Sequence, residues 1–284
     1  MEYPKISIVT PSFNQAEFLE KTICSVLSQN YPNLEYIIID GGSTDGSVEI
    51  IKKYADRLTY WVSEKDNGQY HAINNGFLHT TGDIMGWINS SDIYFPWTLQ
   101  TIAEIFNSNQ AVHWLSGMPV SLSEGIAPQS IYPSSEKNKY DILCGNYKWI
   151  QQESVFWKRR LWNKAGGKID TGMRNAADFG LWLNFFAFEN LYYVNTILAG
   201  FRFHDVRRGD DASGVYYAEA ASLYKKFRST HSFSATLRAF VIKVFIGKNV
   251  FLRKLFKKLK LFGWYKHYAV YYDYEKHNWS LRIY

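Results

Sequence analysis

Short apolar runs alternate with helix-spaced stretches over the first hundred residues, and this pattern restricts the fold most. KISIVT (Lys5–Thr10), LEYIIID (Leu34–Asp40), LTYWVS (Leu58–Ser63) and IMGWI (Ile84–Ile88) are too short and too β-branched for buried helices. They predict buried strands, the first stopping at Pro11-Ser12. Between them, Phe18, Leu19, Ile23, Val26 and Leu27 recur at helical spacing, as do Val48, Ile50, Ile51 and Tyr54, then Ala72, Ile73 and Phe77. A further helix is expected from Trp97 to Phe106. Strands joined by helices predict parallel βαβ units with right-handed crossovers, hence an α/β fold.

Beyond residue 106 the pattern is mixed. A strand is expected near His113–Ser116, helices over Phe156–Gly167, Asp178–Phe188 and Tyr216–Arg228, and a strand pair or long strand over Leu191–His204. With 284 residues, 46% hydrophobic, the chain has ample material for a core. Such a composition excludes disorder. Two cysteines, Cys24 and Cys144, exclude a disulfide scaffold and a Cys-rich zinc module. No run of about 18 apolar residues predicts a membrane-spanning helix, and MEYPKISIVTPSF has no export-signal pattern.

In open parallel sheets, ligands bind beyond the carboxyl ends of the strands. Those ends are polar here: Thr10-Pro11-Ser12; Asp40 with the loop Gly41–Ser47; Asp66-Asn67-Gly68; and Asn89-Ser90-Ser91-Asp92. Any one such loop also reads as a turn whose Ser43 or Asp45 caps the next helix. Four in register point to a site. A dinucleotide fingerprint is excluded, because PSFNQAEF after the first strand has no glycine. HExxH, CxxC and GxSxG are absent, which removes support for protease, zinc and hydrolase chemistry.

The segments ISIVTPSFNQAEFLEKTICSVLSQNYPNLEYIIIDGGSTDGS, DNGQYHAINNGF, TGDIMGWINSSDIYFP, IQQESVFWKRRLWNKAGG, AADFGLWL and GFRFH, in that order, resemble family 2 glycosyltransferases over about residues 5–204. The resemblance implies a GT-A, Rossmann-like mixed and mainly parallel sheet flanked by helices. It implies inverting transfer of a sugar from a nucleotide-sugar, a UDP-sugar before a GDP- or dTDP-sugar, to a glycan or lipid-linked glycan. Residues 1–230 would form this domain, with the donor half over about 1–106 and the acceptor half over about 107–230.

The resemblance also assigns roles. Asp40 would bind the nucleotide base beside Thr10, Pro11 and Ser12. Asp66 and Asn74 or Asn75 would line the donor cleft. Asp178 would be the general base that takes the acceptor hydroxyl's proton, or else simply the cap of its helix. Gln152 and Glu153 would line the acceptor side, with Trp182 there too, one helix turn from Asp178. Arg202 and His204 would face the diphosphate, helped by Arg207 and Arg208, unless these are a strand-end histidine and a solvated turn.

Asn89-Ser90-Ser91-Asp92 falls on the family's acidic metal motif, where Ser91 stands in place of the usual aspartate. Mn2+ or Mg2+ would then rest on Asp92 alone, and serine is a weak ligand for a hard cation. A non-catalytic or weakly active nucleotide-sugar-binding scaffold subunit is the alternative.

Charge is uneven along the chain. Residues 225–284 carry 14 Lys+Arg against 2 acids, net +12, and residues 1–224 carry 18 against 24, net −6. Phe251, Leu252, Leu255, Phe256, Leu259 and Phe262 recur at helical spacing among Arg253, Lys254, Lys257, Lys258 and Lys260. Residues 231–284 therefore predict a C-terminal basic amphipathic helical extension suited to an anionic membrane surface, or one folded back on the body. No motif supports nucleic acid. Together with the family, the tail implies a cytoplasmic protein, peripheral on the inner face of the cell membrane, in O-antigen or capsule polysaccharide synthesis.

Overall fold

The computed structural model describes residues 3–132, 137–147, 150–204, 214–241 and 265–284. The first half runs β1 (Ile6–Ser12), α1 (Ala16–Leu27), β2 (Leu34–Asp40), α2 (Ser47–Lys53), β3 (Tyr60–Ser63), α3 (Gln69–Leu78), β4 (Ile84–Trp87), β5 (Ile93–Tyr94) and α4 (Thr98–Ser108). It continues through β6 (Trp114–Ser116), β7 (Val120–Leu122), β8 (Pro128–Ile131), α5 (Lys139–Leu143), β9 (Val155–Lys158), α6 (Arg159–Lys164), α7 (Ala177–Phe186), β10 (Tyr192–Val194) and β11 (Ala199–Arg202). The last elements are α8 (Val215–Ser229), α9 (Phe233–Val241), β12 (Tyr268–Asp273) and β13 (Asn278–Ile283).

Nine strands form one sheet in the order β13-β12-β10-β6-β9-β4-β1-β2-β3, and a smaller sheet runs β5-β11-β7-β8. In the large sheet β1, β2, β3 and β4 pair in parallel, as do β6, β10 and β12, while β9 lies antiparallel between β4 and β6. This is the expected mainly parallel α/β architecture. Its central strands are buried on both faces, which is why they read as continuous apolar runs. Val9, Ile37 and Ile39 pack into one core, with α3 and α7. Ile6, Ile8, Tyr36 and Ile38 pack into the other, with α1 and α4.

The register aligns the polar strand ends. Ser12 lies opposite Asp40, and Asp40 opposite Ser63. The β1–β4 pairing ends at Val9 and Trp87, where Ile88 N donates to Val9 O at 3.0 Å. The strand therefore runs on past Thr10, where the sequence predicts its end. Pro11 is tolerated because β4 no longer asks it for an N–H.

Several elements differ from expectation. Phe156–Gly167 divides into β9 and α6. Phe156 enters one core and Trp157 the other, the two-residue burial period of a strand. Leu191–His204 forms β10 and β11, which belong to different sheets. At the C-terminus α9 is a helix, whereas β12 and β13, within the span expected to be helical, form an antiparallel hairpin on the sheet edge. Two adjacent buried residues, Ala269 and Val270, seat that hairpin, and Trp279 donates its Nε1–H to Glu104 at 3.1 Å. The amphipathic stretch over 251–262 lies outside the described residues. No helix among the described residues is long and apolar enough to cross a membrane.

Candidate active site

The site begins where β2 ends. Asp40 is fully buried. Its Oδ2 accepts from Gly42 N at 3.2 Å, Ser43 N at 2.8 Å and Ser63 Oγ at 2.7 Å, and its Oδ1 accepts from Ser43 Oγ at 2.6 Å. Asp40 therefore shapes the Gly41–Ser43 loop, with both of its oxygens turned to the protein's own donors. Asp66 lies against that loop and accepts from Gly68 N at 2.7 Å. A Cβ at Gly41 would sit 3.2 Å from the Asp66 carboxylate, so glycine there permits the close approach.

Thr10 and Ser12 are buried at the end of β1. Thr10 Oγ1 pairs with the Tyr36 hydroxyl at 3.0 Å, whereas Ser12 Oγ has no partner among the described residues. Asn74 turns to the backbone of Ile169, giving to its O and accepting from its N, each at 2.8 Å. That pairing commits Asn74 to fixing the 169 segment rather than to lining the donor cleft.

A hydrogen-bonded chain then crosses the strand ends. Gln69 Nε2 donates to Asn89 Oδ1 at 2.6 Å, Asn89 Nδ2 to Asp92 Oδ2 at 3.2 Å, and Arg202 N to Asp92 Oδ1 at 3.1 Å. Asp92 is fully buried, and burial pushes its carboxyl up to about 7, against lowering hydrogen bonds and the Arg202 charge. Arg202 is also fully buried, and none of its three guanidinium nitrogens has a hydrogen-bond partner among the described residues. Its guanidinium carbon lies 5.4 Å from the Phe18 ring, and His204 packs on the same ring at 4.4 Å. A buried cation without hydrogen-bond partners is costly; the nearby Asp92 and Glu124 charges offset part of that cost. Arg207 and Arg208 lie outside the described residues.

These residues do not fit a divalent cation. Both Asp92 oxygens already accept from N–H groups, burial favours its protonated form, and Ser91 adds no carboxylate. Among the described residues no group of three His, Cys, Asp or Glu could hold a metal. Among the described residues, the Mn2+ or Mg2+ expected at Asp92 thus has no ready set of ligands.

Asp178 stands in the first turn of α7, half-buried, and accepts from Phe179 N at 2.7 Å. Burial pushes its carboxyl up to about 6, and the Glu219 charge adds to the rise. Glu153 is buried in a short turn over Gln152–Ser154 that precedes β9, with Oε1 unpartnered among the described residues. Burial first, then the Asp92 and Asp178 charges, raise its carboxyl well above the usual range. Gln152 donates to Trp87 O at 2.7 Å and leaves its own Oε1 similarly unpartnered.

Trp182 does not reach an acceptor wall. It is 1% exposed and stacks on Trp87 at 5.7 Å and Trp114 at 5.9 Å, inside the core beneath α7.

Two residues the sequence did not single out join the site. Gln69 anchors the chain just described, and Tyr70 accepts from Ala177 N at 3.3 Å, tying α3 to the start of α7. Both lie inside DNGQYH, so their proximity to the Asp66 loop was the available signal. A cavity of about 160 Å3 opens here, lined by Asn67, Gly68, Gln69, Tyr70 and His71 on one side and Thr171, Met173 and Arg174 on the other.

Residues 7–129 match the family described as Glycosyl transferase family 2. Over those residues the chain has the pattern of family 2 glycosyltransferases. An uncharacterized glycosyltransferase of Rickettsia typhi is 26% identical over 269 residues, covering 88% of this chain and 82% of that protein. One from Mycobacterium tuberculosis is 40% identical over 90 residues, 31% of this chain and 34% of its own length. S. aureus TarS 1–349, solved with UDP-GlcNAc, superposes with a TM-score of 0.64 at 14% identity over 78% of this chain and 66% of that one. The mannosyltransferase PcManGT of Pyrobaculum calidifontis, solved with GDP-Man and Mn2+, gives 0.59 at 16% identity over 93% and 82%. These structures establish the GT-A fold for this glycosyltransferase.

Proposed function

We propose that this glycosyltransferase moves a sugar, with inversion, from a nucleotide-sugar to a hydroxyl of a glycan or lipid-linked glycan. The observation that carries the reading is Asp178, a half-buried carboxyl raised to about 6, at the start of α7 next to Ala177, whose N–H donates to the cavity residue Tyr70. A carboxylate so tuned is ionised at neutral pH and still basic enough to take a proton. The acceptor oxygen attacks C1 as its proton passes to Asp178. The bond from C1 to the diphosphate oxygen breaks on the opposite face, so no covalent enzyme intermediate is needed.

Negative charge then grows on the leaving diphosphate. Arg202, buried with no hydrogen-bond partner for its guanidinium among the described residues, and His204 beside it supply the positive charge and donors that this step needs. The Asp66 and Gly41–Ser43 loops hold the base, with Asp40 as their organiser. A UDP-sugar is the favoured donor, since TarS was solved with UDP-GlcNAc.

The test is a screen of UDP-, GDP- and dTDP-sugars for nucleoside diphosphate release, with the product's anomeric configuration read by NMR. Inversion supports the reading, and retention overturns it.

A second reading is a nucleotide-sugar-binding scaffold subunit, favoured by Ser91 and the occupied Asp92 oxygens. Calorimetric UDP titration with and without Mn2+ separates the two. Metal-independent tight binding with no turnover on any donor–acceptor pair favours the scaffold.

We also propose that the basic C-terminal region seats the protein on an anionic membrane at the inner face of the cell membrane, in surface-polysaccharide synthesis. Phe233 is 82% exposed, Phe240 59% and Leu237 49%, an apolar stripe on α9 leading into the basic segment. Cosedimentation with anionic vesicles should weaken with salt and with Phe233→Ser plus Phe240→Ser. Binding unchanged by both would refute it.

A further inference from the structure

Helix α7 begins without a side-chain cap of its own, because Ala176 occupies the N-cap position. The N–H groups at its entry are satisfied from outside. Glu219, half-buried on α8, accepts from Arg174 N at 2.7 Å, Asn175 N at 2.9 Å and Ala176 N at 3.0 Å. Tyr70 takes the next, Ala177 N. One carboxylate thus gathers three successive backbone donors two to four residues before Asp178. The same segment supplies Met173 and Arg174 to the wall of the cavity.

We propose that Glu219 is a positioning residue for the transfer reaction: it clamps the α7 entry two to four residues before Asp178 and so fixes where that side chain stands. The inference rests on Asp178 being the general base. A hydrogen-bonded carboxylate accepting several backbone donors is a strong, directional clamp. Misplacing a base by about an ångström can cost on the order of 100-fold in rate. Titratable groups on three elements face Asp178: Tyr70 from α3 and Glu153 from the turn before β9, both raised by its charge, and Glu219 from α8, which raises it. The Glu219 charge raises the Asp178 carboxyl, so its removal lowers Asp178's proton affinity.

The test compares wild type, Glu219→Gln and Glu219→Asp in three measurements. These are the pH–kcat profile, UDP affinity by calorimetry, and amide exchange at residues 174–176. Gln keeps one acceptor oxygen, so it folds more readily than a truncation. For Glu219→Gln, the acid limb should move to lower pH, kcat on the plateau should fall about tenfold or more, and exchange at 174–176 should rise. UDP affinity should stay within about twofold. Glu219→Asp keeps the charge and should hold the acid limb near wild type while losing part of kcat.

A purely structural role would lower kcat or stability without moving the limb. A limb that coincides with wild type in Glu219→Gln therefore overturns the proposal, as does a parallel loss of UDP affinity. Failure of the underlying base reading shows elsewhere, as turnover retained by Asp178→Asn whatever Glu219 does.

Discussion

Asp40 offers the sharpest test of how the donor loop is built. Its two oxygens accept four hydrogen bonds, from Gly42 N, Ser43 N, Ser43 Oγ and Ser63 Oγ, at 2.6 to 3.2 Å. Bonds onto a charged acceptor contribute about 1.5–3 kcal/mol each. Asp40→Asn keeps one oxygen, which can serve the three donors on the Oδ2 side without the charge. Its new NH2 then meets Ser43 Oγ, which already accepts from Asn14 N at 2.7 Å. The Ser43 hydroxyl must turn away and give up its own bond. Weakening three bonds and losing one costs about 3 kcal/mol. Asp40→Ala strands all four donors in a buried site and should cost more, about 5 kcal/mol. Urea unfolding at neutral pH reads both values, and UDP titration of the folded variants reads the loop. An Asp40→Ala protein within about 1 kcal/mol of wild type would refute the view that Asp40 organises the loop.

Two further perturbations probe the scaffold. Glu35 accepts from Ser7 Oγ, Thr81 N, Thr81 Oγ1 and Gly82 N, and although burial opposes it, these bonds hold its carboxyl down at about 2. The folded value lies below the unfolded one. Its contribution, about 3 kcal/mol, is thus present above pH ~4.5 and is lost as pH falls toward 2. The stability gap between wild type and Glu35→Gln should narrow over that window, and a gap constant from pH 7 to pH 2.5 would contradict it. Gly76 lies in α3 where an added Cβ would sit 2.5 Å from Val9 Cγ1 and 3.3 Å from Ile39 Cγ1. Gly76→Ala should destabilise by about 1–3 kcal/mol despite alanine's better helix propensity, because the β-branched Val9 cannot swing aside. A neutral or stabilised variant would show that α3 has room to move off the sheet.

Much of the nucleotide-side fold was legible because parallel strands buried on both faces read as apolar runs. Leu34–Asp40 matches β2 at both ends. Phe156–Gly167 reads as one helix because a four-residue strand runs directly into a helix that the glycines close. The β12–β13 hairpin was masked by the basic run before it, whose charge drew the whole tail toward a helical expectation. In the site, the residue types were visible but their partners were not. Nothing in DGGS says that Asp40 is saturated by its own loop, nor in INNG that Asn74 grips Ile169. Glu219 stands more than 40 residues from Asp178 in a helix of mixed polarity. Only the fold brings it to the α7 entry.

The account's central claim is that Asp178 takes the acceptor's proton, and the pH–kcat profile of nucleoside diphosphate release tests it most directly. Wild type should rise through an acid limb near pH 6, the value burial gives Asp178. Asp178→Asn should fold, bind UDP as wild type does, and lose about 100-fold or more in kcat on the plateau. Turnover by Asp178→Asn within a few-fold of wild type, with the acid limb unmoved, would contradict the claim.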